Sequence, residues 1–217
     1  MINGFDSIVN KVKQALEDGV LPDEIAHQKL SPNRPSRLDA LKANPSPRLS
    51  AVLVLLFPDD DGKANTVLME RNTYNGTHSG QVSFPGGKCE DYDDSFASTA
   101  LREANEEVGT DTSAINVIGK LSDVYIPPSG FLVKPIVGVT TVRPSFVPDP
   151  REVQTIIETP LSLITDDNAI RYKKIKFSSS PVKVKAPYFD VHGHTVWGAT
   201  AMMLSELREL ILTEMKR

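Results

Sequence analysis

The residues best suited to chemistry lie in one short run, in which an arginine is followed by three glutamates. Arg102 precedes Glu103, Glu106 and Glu107, and Gly109 closes the run. On an α-helix the three glutamates stand at positions i, i+3 and i+4, so their carboxylates share one face. Carboxylates this close repel one another, by about 0.2–0.5 kcal/mol per pair. A hard divalent cation such as Mg²⁺ would turn this repulsion into ligation, because it prefers oxygen ligands.

A second group of chemically useful residues precedes the acidic run. Gly80, Gly86 and Gly87 allow the backbone to approach a ligand closely, because glycine has no side chain. Arg71 ends an apolar stretch, and its guanidinium could pair with a phosphate. The alternative for Arg71 is an ordinary surface arginine.

Together the two groups resemble the Nudix box, in which a glycine and a glutamate precede Arg-Glu-x-x-Glu-Glu-x-Gly. The matching positions are Gly87, Asp94 (or Asp93), Arg102, Glu103, Glu106, Glu107 and Gly109. An aspartate replaces the usual glutamate, and the spacing from Gly87 to Arg102 is one residue longer than in the common box. The resemblance implies that this aspartate positions Arg102. It also implies metal ligands, namely Glu103, Glu106, Glu107 and the carbonyl of Gly86, with Mg²⁺ (or Mn²⁺) as the cofactor.

The stretch before the glycine turn resembles the coenzyme A pyrophosphatases within the Nudix group. The shared residues are Arg71, His78, Gly80, Gln81, Val82, Phe84, Pro85, Gly86 and Gly87. Asn75-Gly76 stands where this subfamily has Leu-Arg, so one expected positive charge is missing. The resemblance implies a substrate-binding set made of Arg71, His78, Gly80 and Gln81.

The function implied is that of a Nudix diphosphatase, which hydrolyses the diphosphate linkage of coenzyme A (CoA) or acyl-CoA to 3′,5′-ADP and (acyl-)phosphopantetheine. The catalytic set is Arg102, Glu103, Glu106 and Glu107, and either of the last two is a candidate base. One alternative is a Nudix hydrolase of nucleotides, such as oxidised nucleoside triphosphates or dinucleotides. Another is a catalytically inactive binding module, which the complete glutamate set disfavours. Glu152 resembles the further acid that Nudix enzymes often draw from a late loop, although a surface carboxylate is the alternative.

The composition narrows the classes of partner. The chain has 24 basic and 28 acidic residues and a formal charge of −4, which disfavours nucleic-acid binding. Its single cysteine, Cys89, excludes an internal disulfide and suits a reducing compartment. No apolar run is long enough to span a bilayer. We therefore expect a small-molecule substrate, neither nucleic acid nor membrane as partner, and a monomer or homodimer. A cytoplasmic location is expected, with mitochondrial and peroxisomal alternatives.

Hydrophobic patterns predict the elements that position these residues. Residues 95–108 predict a helix that is capped by Asp93 or Asp94 at its start and by Gly109 at its end. Strands are predicted at residues 51–57, 66–71, 115–121, 135–142, 152–157, 173–177, 187–191 and 195–197. Further helices are predicted at residues 161–164 and 199–215. This mixture predicts an α/β (or α+β) fold, and the resemblance implies a Nudix-type α/β/α sandwich around a mixed sheet.

The first fifty residues differ in character from the rest. Residues 5–16 predict an amphipathic helix. Residues 31–50 contain four prolines and predict an irregular connector, in which residues 37–42 have room for a helical turn. We expect residues 1–50 to be a helical arm and a Pro-rich connector, and residues 51–217 to form the Nudix hydrolase domain.

Overall fold

The structure is a computed structural model that describes residues 4–32, 34–72, 80–176 and 183–213. The helices of these segments are α1 (Phe5–Asp18), α2 (Asp23–Leu30), α3 (Arg37–Ala43), α4 (Phe96–Val108), α5 (Ser162–Thr165) and α6 (Gly198–Leu212), with a 3-10 turn at Thr112–Ala114. The strands are β1 (Arg48–Pro58), β2 (Ala64–Arg71), β3 (Val82–Ser83), β4 (Gly86–Lys88), β5 (Asn116–Lys120), β6 (Val124–Ile126), β7 (Phe131–Val139), β8 (Val153–Pro160), β9 (Ile170–Lys176), β10 (Lys183–Val191) and β11 (His194–Val196). Within the described segments, every helix is too short or too polar to cross a membrane.

Strand β1 is the centre of an eight-stranded mixed sheet. It pairs in parallel with β7 along most of its length, and antiparallel with β4 near its start and with β2 near its end. Strands β5 and β6 pair with β7, whereas β3 and β8 pair with β2. Strands β9, β10 and β11 form a separate antiparallel sheet. Pairing of β4 with β1 places the glycine turn beside the middle of the central sheet.

The side chains of β1 alternate between two buried faces, as the two-residue period of a strand requires. On one face Leu53 and Leu55 pack with Ala104 of α4, and on the other Val54 and Leu56 join the cluster that contains α1 and α6. Helices therefore cover both faces of the mixed sheet. This arrangement confirms the predicted α/β/α fold.

The N-cap of the acidic helix lies one residue after Asp94 and two residues after Asp93, the two predicted caps. Ser95 is the N-cap residue of α4, and its side chain accepts from the backbone N–H of Ser98 in a capping box. The prediction of Asp93 or Asp94 as the cap is therefore wrong. Gly109 ends the helix as predicted, with a left-handed φ of 65°.

The N-terminal arm packs against the rest of the chain. Helix α2, which the sequence patterns do not predict, lies on α6, where His27 Nε2 is 2.9 Å from Glu206 Oε2 in a buried pair. Phe5 and Val12 of α1 are buried in the cluster that also holds α6. The helical turn expected in the connector is α3. The division into an arm and a domain at residue 50 stays a prediction.

Candidate active site

A cavity of about 460 Å³ lies where β4, α4, the start of β7 and the start of α6 meet. Its size is in the range of pockets that hold small ligands, about 300–1,000 Å³. The charged residues of its lining are Arg34, Arg71, Lys88, Glu103, Glu107 and Glu152. Apolar side chains also line it, namely Val52, Val82, Phe84, Ile126, Pro127, Pro128, Phe131, Val133, Trp197, Ala199 and Met203. Residues that the sequence predicts to be catalytic and a set of apolar side chains therefore line the same cavity.

Glu107 is the most buried carboxylate of the cavity, with 2% of its surface exposed. Its Oε2 accepts a hydrogen bond of 2.7 Å from the backbone N–H of Gly86, and its Oε1 is 2.9 Å from Arg71 Nη1. Burial raises the pKa of Glu107 to about 7, although Arg71 and the Gly86 N–H act in the opposite direction. The carboxyl group therefore titrates near neutral pH, which suits a proton acceptor.

Arg102 holds the carboxylate of Asp93 in a bidentate pair. Its Nε and Nη2 each donate to one carboxylate oxygen of Asp93, both at 2.9 Å. Hydrogen bonds from Arg102 hold the pKa of Asp93 well below its usual range. Of the two aspartates that the sequence left open, Asp93 is the partner, and the choice of Asp94 is wrong. Asp93 also accepts from Thr99 Oγ1 at 2.9 Å, so the pair ties the loop to α4.

The remaining guanidinium nitrogen of Arg102, Nη1, contacts two of the three glutamates. Nη1 donates to Glu103 Oε1 at 2.7 Å and to Glu106 Oε2 at 3.2 Å. Glu103 lines the cavity and is half-buried, and burial raises its pKa. The Glu106 side chain is 58% exposed and lies outside the lining. The three glutamates thus do not face the same surroundings, because on the helix Glu107 turns toward β4 and Glu106 turns toward solvent.

Two consecutive glycines allow the close approach of β4 to the acidic helix. A Cβ on Gly87 would lie 2.3 Å from Glu103 Oε2. A Cβ on Gly86 would lie 2.4 Å from the carbonyl oxygen of Ala51, and Gly86 has a φ of 153°. The carbonyl oxygen of Gly86 accepts from Arg71 Nη2 at 2.8 Å. Gly86 therefore requires glycine, because a Cβ would meet backbone, whereas a Cβ on Gly87 would displace the end of the Glu103 side chain.

The predicted substrate-binding residues are only partly brought together. Arg71 and Gln81 line the cavity, whereas Gly80 does not. Arg71 is engaged by Glu107 and the Gly86 carbonyl, so its pairing with a phosphate stays a prediction. His78 lies outside the described residues, as do Asn75 and Gly76. Their predicted roles are not tested.

Two further residues of the lining are Glu152, whose role the sequence leaves open, and Arg34, which the sequence does not predict. Glu152, at the turn before β8, lines the cavity, and its charge raises the pKa of both Glu103 and Glu107. This placement supports a role at the site over an unrelated surface position. Arg34, from the connector between α2 and α3, was not predicted. Nothing in the proline-rich sequence around it signals a site.

The donor chemistry of the cavity fits a hard divalent cation. The carboxylates of Glu103 and Glu107 and the carbonyl of Gly86 are hard oxygen donors, the ligands that Mg²⁺ prefers. In the described parts of the chain, no three acidic, histidine or cysteine side chains are grouped so as to hold a metal directly. Arg102 instead contacts Glu103, and Arg71 contacts both Glu107 and the Gly86 carbonyl. Metal binding would therefore require these side chains to exchange partners.

A mixed sheet between helices, with a glycine turn against an acidic helix, defines a Nudix-type domain. The chain belongs to this family, since the model of the NUDIX domain matches residues 47–167. The matched segment begins just before β1 and includes all of α4 and Glu152.

Sequence similarity to named Nudix hydrolases supports the assignment to this family. The chain is 34% identical to "Nudix hydrolase 22, chloroplastic" and to "Nudix hydrolase 15, mitochondrial" of Arabidopsis thaliana over 164 residues, which is 73% of this chain and 53% and 56% of those proteins. The chain thus spans about half the length of these two relatives. It is 33% identical to the uncharacterized Nudix hydrolase NudL of Photorhabdus laumondii, over 69% of this chain and 78% of NudL.

One solved structure is similar enough in shape to support the fold. The crystal structure of RenU, a Nudix hydrolase from M. smegmatis, aligns with a TM-score of 0.53 over 78% of this chain and 90% of that chain. The sequence identity is 16%, so the likeness concerns the fold alone.

Proposed function

We propose that the chain hydrolyses the diphosphate linkage of CoA or acyl-CoA in a metal-dependent reaction that yields 3′,5′-ADP and (acyl-)phosphopantetheine. The observation that carries the proposal is that one cavity joins the acidic groups to a large apolar surface. The acidic groups are Glu103, Glu107 and Glu152, and the apolar surface includes Phe131 and Trp197. A substrate with a diphosphate and a long, partly apolar arm matches both parts.

The glutamates and arginines divide the chemical work. When bound, Mg²⁺ or Mn²⁺ neutralises charge on the diphosphate. Arg102 holds Asp93 and Glu103 and so fixes the loop and the helix face that present the carboxylates. Arg71 can turn from Glu107 to a phosphate oxygen, because a guanidinium matches both carboxylate and phosphate geometry.

Hydrolysis needs a group that takes a proton from the attacking water. Glu107 and Glu152 are both carboxylates of the cavity, and whichever of them the metal leaves unligated is the candidate base. Glu106 stays a candidate from the sequence pattern, but it would have to turn from solvent into the cavity. The new bond forms between the water oxygen and phosphorus as the bond to the bridging oxygen breaks.

The test is a substrate panel with identified products. CoA, acetyl-CoA, NADH, ADP-ribose and an oxidised dGTP are compared in Mg²⁺ and in EDTA, and products are separated by chromatography. We expect CoA and acetyl-CoA to give 3′,5′-ADP only when Mg²⁺ is present. The matched variants are Glu103→Gln, which should be inactive, and Glu158→Gln, whose carboxylate pairs with Arg143 outside the cavity.

Cleavage of oxidised dGTP or ADP-ribose without cleavage of CoA would replace the CoA proposal with the nucleotide alternative. Binding without turnover of any compound would instead favour the inactive binding module. The cytoplasmic location and the monomeric or homodimeric state stay predictions.

A further inference from the structure

Arg34 is a cationic side chain in the cavity whose hydrogen-bonding capacity is mostly unused. It lies between α2 and α3 and lines the same cavity as Glu103 and Glu107. Its Nη1 contacts the sulfur of Met202 at 2.9 Å, and its Nη2 is buried without a hydrogen-bond partner among the residues described. Burial lowers the pKa of Arg34. Among the described residues, the Met202 thioether is thus the only side-chain hydrogen-bonding partner of the guanidinium, and Nη2 is shielded from water.

Such an arrangement is unfavourable unless another group completes it. A guanidinium has five N–H donors, and a buried donor left unpaired costs about 1–3 kcal/mol, more when charged. The charge of Glu24 acts on Arg34 and opposes the lowering of its pKa, but Glu24 Oε1 accepts from the backbone N–H of Arg37. A polarisable thioether is a weak acceptor, so Met202 compensates little.

A second arginine of the same segment shows the contrast. Arg37 forms a bidentate pair with Asp23, at 2.7 and 2.9 Å, and donates to the carbonyl of Asp123 at 2.8 Å. Arg37 therefore anchors the connector. It lines a smaller cavity that Arg34 and Met202 also line, and of these three residues only Arg34 lines the larger cavity as well. Arg34 has neither a carboxylate partner nor a carbonyl partner in the described structure, although it lies only three residues away.

We infer that Arg34 binds an anionic group of the substrate that is separate from the diphosphate, and that for CoA this group is the 3′-phosphate. The inference rests on the proposed function and names the residue that reads one part of that substrate. A guanidinium binds phosphate in a bidentate manner, and the phosphate would supply the acceptors that Met202 does not.

The test compares CoA with dephospho-CoA, which differs only in the 3′-phosphate. In Arg34→Met we expect kcat/KM for CoA to fall roughly 10- to 100-fold, as the loss of a charge-assisted hydrogen bond predicts. The kcat/KM for dephospho-CoA should change less than about twofold, because dephospho-CoA lacks the 3′-phosphate that Arg34 would bind. Arg34→Lys should restore part of the preference, since it keeps the charge without the fork.

The ratio of the two kcat/KM values does not depend on the fraction of folded enzyme, so a partly unfolded variant still gives an answer. Arg37→Met is the matched control, because it removes an anchoring arginine of the same segment. This variant should lower the melting temperature and change kcat/KM for CoA and dephospho-CoA by the same factor. If Arg34→Met also lowers kcat/KM for both substrates by the same factor, Arg34 is structural and the inference is overturned, while the proposed function stands.

Two further arms separate the remaining outcomes. Calorimetric binding of 3′,5′-ADP and AMP should favour 3′,5′-ADP in the wild type and lose this preference in Arg34→Met. If Arg34→Met lowers kcat/KM for succinyl-CoA more than it lowers kcat/KM for CoA, the anion site is supported but is assigned to the acyl carboxylate. A wild type that cleaves neither CoA nor dephospho-CoA would overturn the proposed function and, with it, the inference.

Discussion

Glu107→Gln should make the metal-free protein more stable at alkaline pH while it abolishes turnover. The wild-type carboxylate is 2% exposed, and its pKa is raised by burial to about 7 from an ordinary value of 4.5. Glutamine has the same shape and no charge, so its carbonyl can still accept from the Gly86 N–H. The substitution therefore removes the cost of burying a charge and retains that hydrogen bond.

The magnitude follows from the pKa difference. A rise from 4.5 to about 7 corresponds to roughly 3 kcal/mol of destabilisation when the group is fully ionised. The amide nitrogen of glutamine cannot accept from Arg71, and the loss of that bond costs about 1 kcal/mol. We expect a net gain of about 2 kcal/mol at pH 8, which for a chain of this size raises the melting temperature by roughly 4–8 °C.

The dependence on pH has a definite sign. Because the folded-state pKa lies above the unfolded value, the native carboxyl group binds its proton more tightly, and the wild type loses stability as the pH rises from about 4.5 through 7. The stability of the variant relative to the wild type should therefore increase over this window and level off above it. Urea unfolding in EDTA, followed by the fluorescence of the single tryptophan, Trp197, measures this difference.

Addition of Mg²⁺ should reverse the order, because a metal that binds only the native wild type stabilises it by mass action. A stability difference that does not change between pH 5 and pH 8 would refute the buried-charge reasoning. A variant that is less stable than the wild type at every pH in EDTA would do the same.

The remaining predictions concern geometry and packing. Arg102→Lys should lower kcat by at least about tenfold with little change in the affinity for a nonhydrolysable ligand, because lysine keeps the charge but loses the bidentate fork; loss of binding alone would contradict this. Glu106→Gln should lower turnover in Mg²⁺ by orders of magnitude without a change in melting temperature if the side chain turns to the metal, and near-normal turnover would exclude that role. Gly87→Ala should lower kcat with little loss of stability, because the new methyl displaces the flexible carboxylate of Glu103; a large fall in the urea midpoint would show that the backbone moves instead. His27→Ala should destabilise the chain by about 1–3 kcal/mol, because it removes the buried His27–Glu206 contact while the hydrogen bonds from Ser122 to Glu206 remain, and an unchanged urea midpoint would show that the contact contributes nothing to stability.

The acidic helix shows how much of the candidate site can be predicted from local sequence pattern. The spacing of Glu103, Glu106 and Glu107 and the position of Gly109 predict the helix and its end. Neither the N-cap nor the partner of Arg102 follows from spacing. Ser95 caps the helix, and the backbone between it and Gly87 decides that Asp93, rather than Asp94, reaches the guanidinium. Two adjacent aspartates of the same chemical type cannot be told apart without that path.

The sequence by itself determined most of the helices and strands, although not α2 or β4, and it revealed the Nudix motif, because apolar periodicity and glycines act over a few residues. Tertiary structure decided which groups meet across long stretches of chain. It pairs Arg71 with Glu107, buries that carboxylate against Gly86, and brings Arg34 of the connector into the same cavity. These contacts depend on the pairing of β4 with β1 and on the packing of α2 against α6. Burial and charge, which shift the pKa of Glu107 and leave Arg34 unpaired, exist only once those elements have come together.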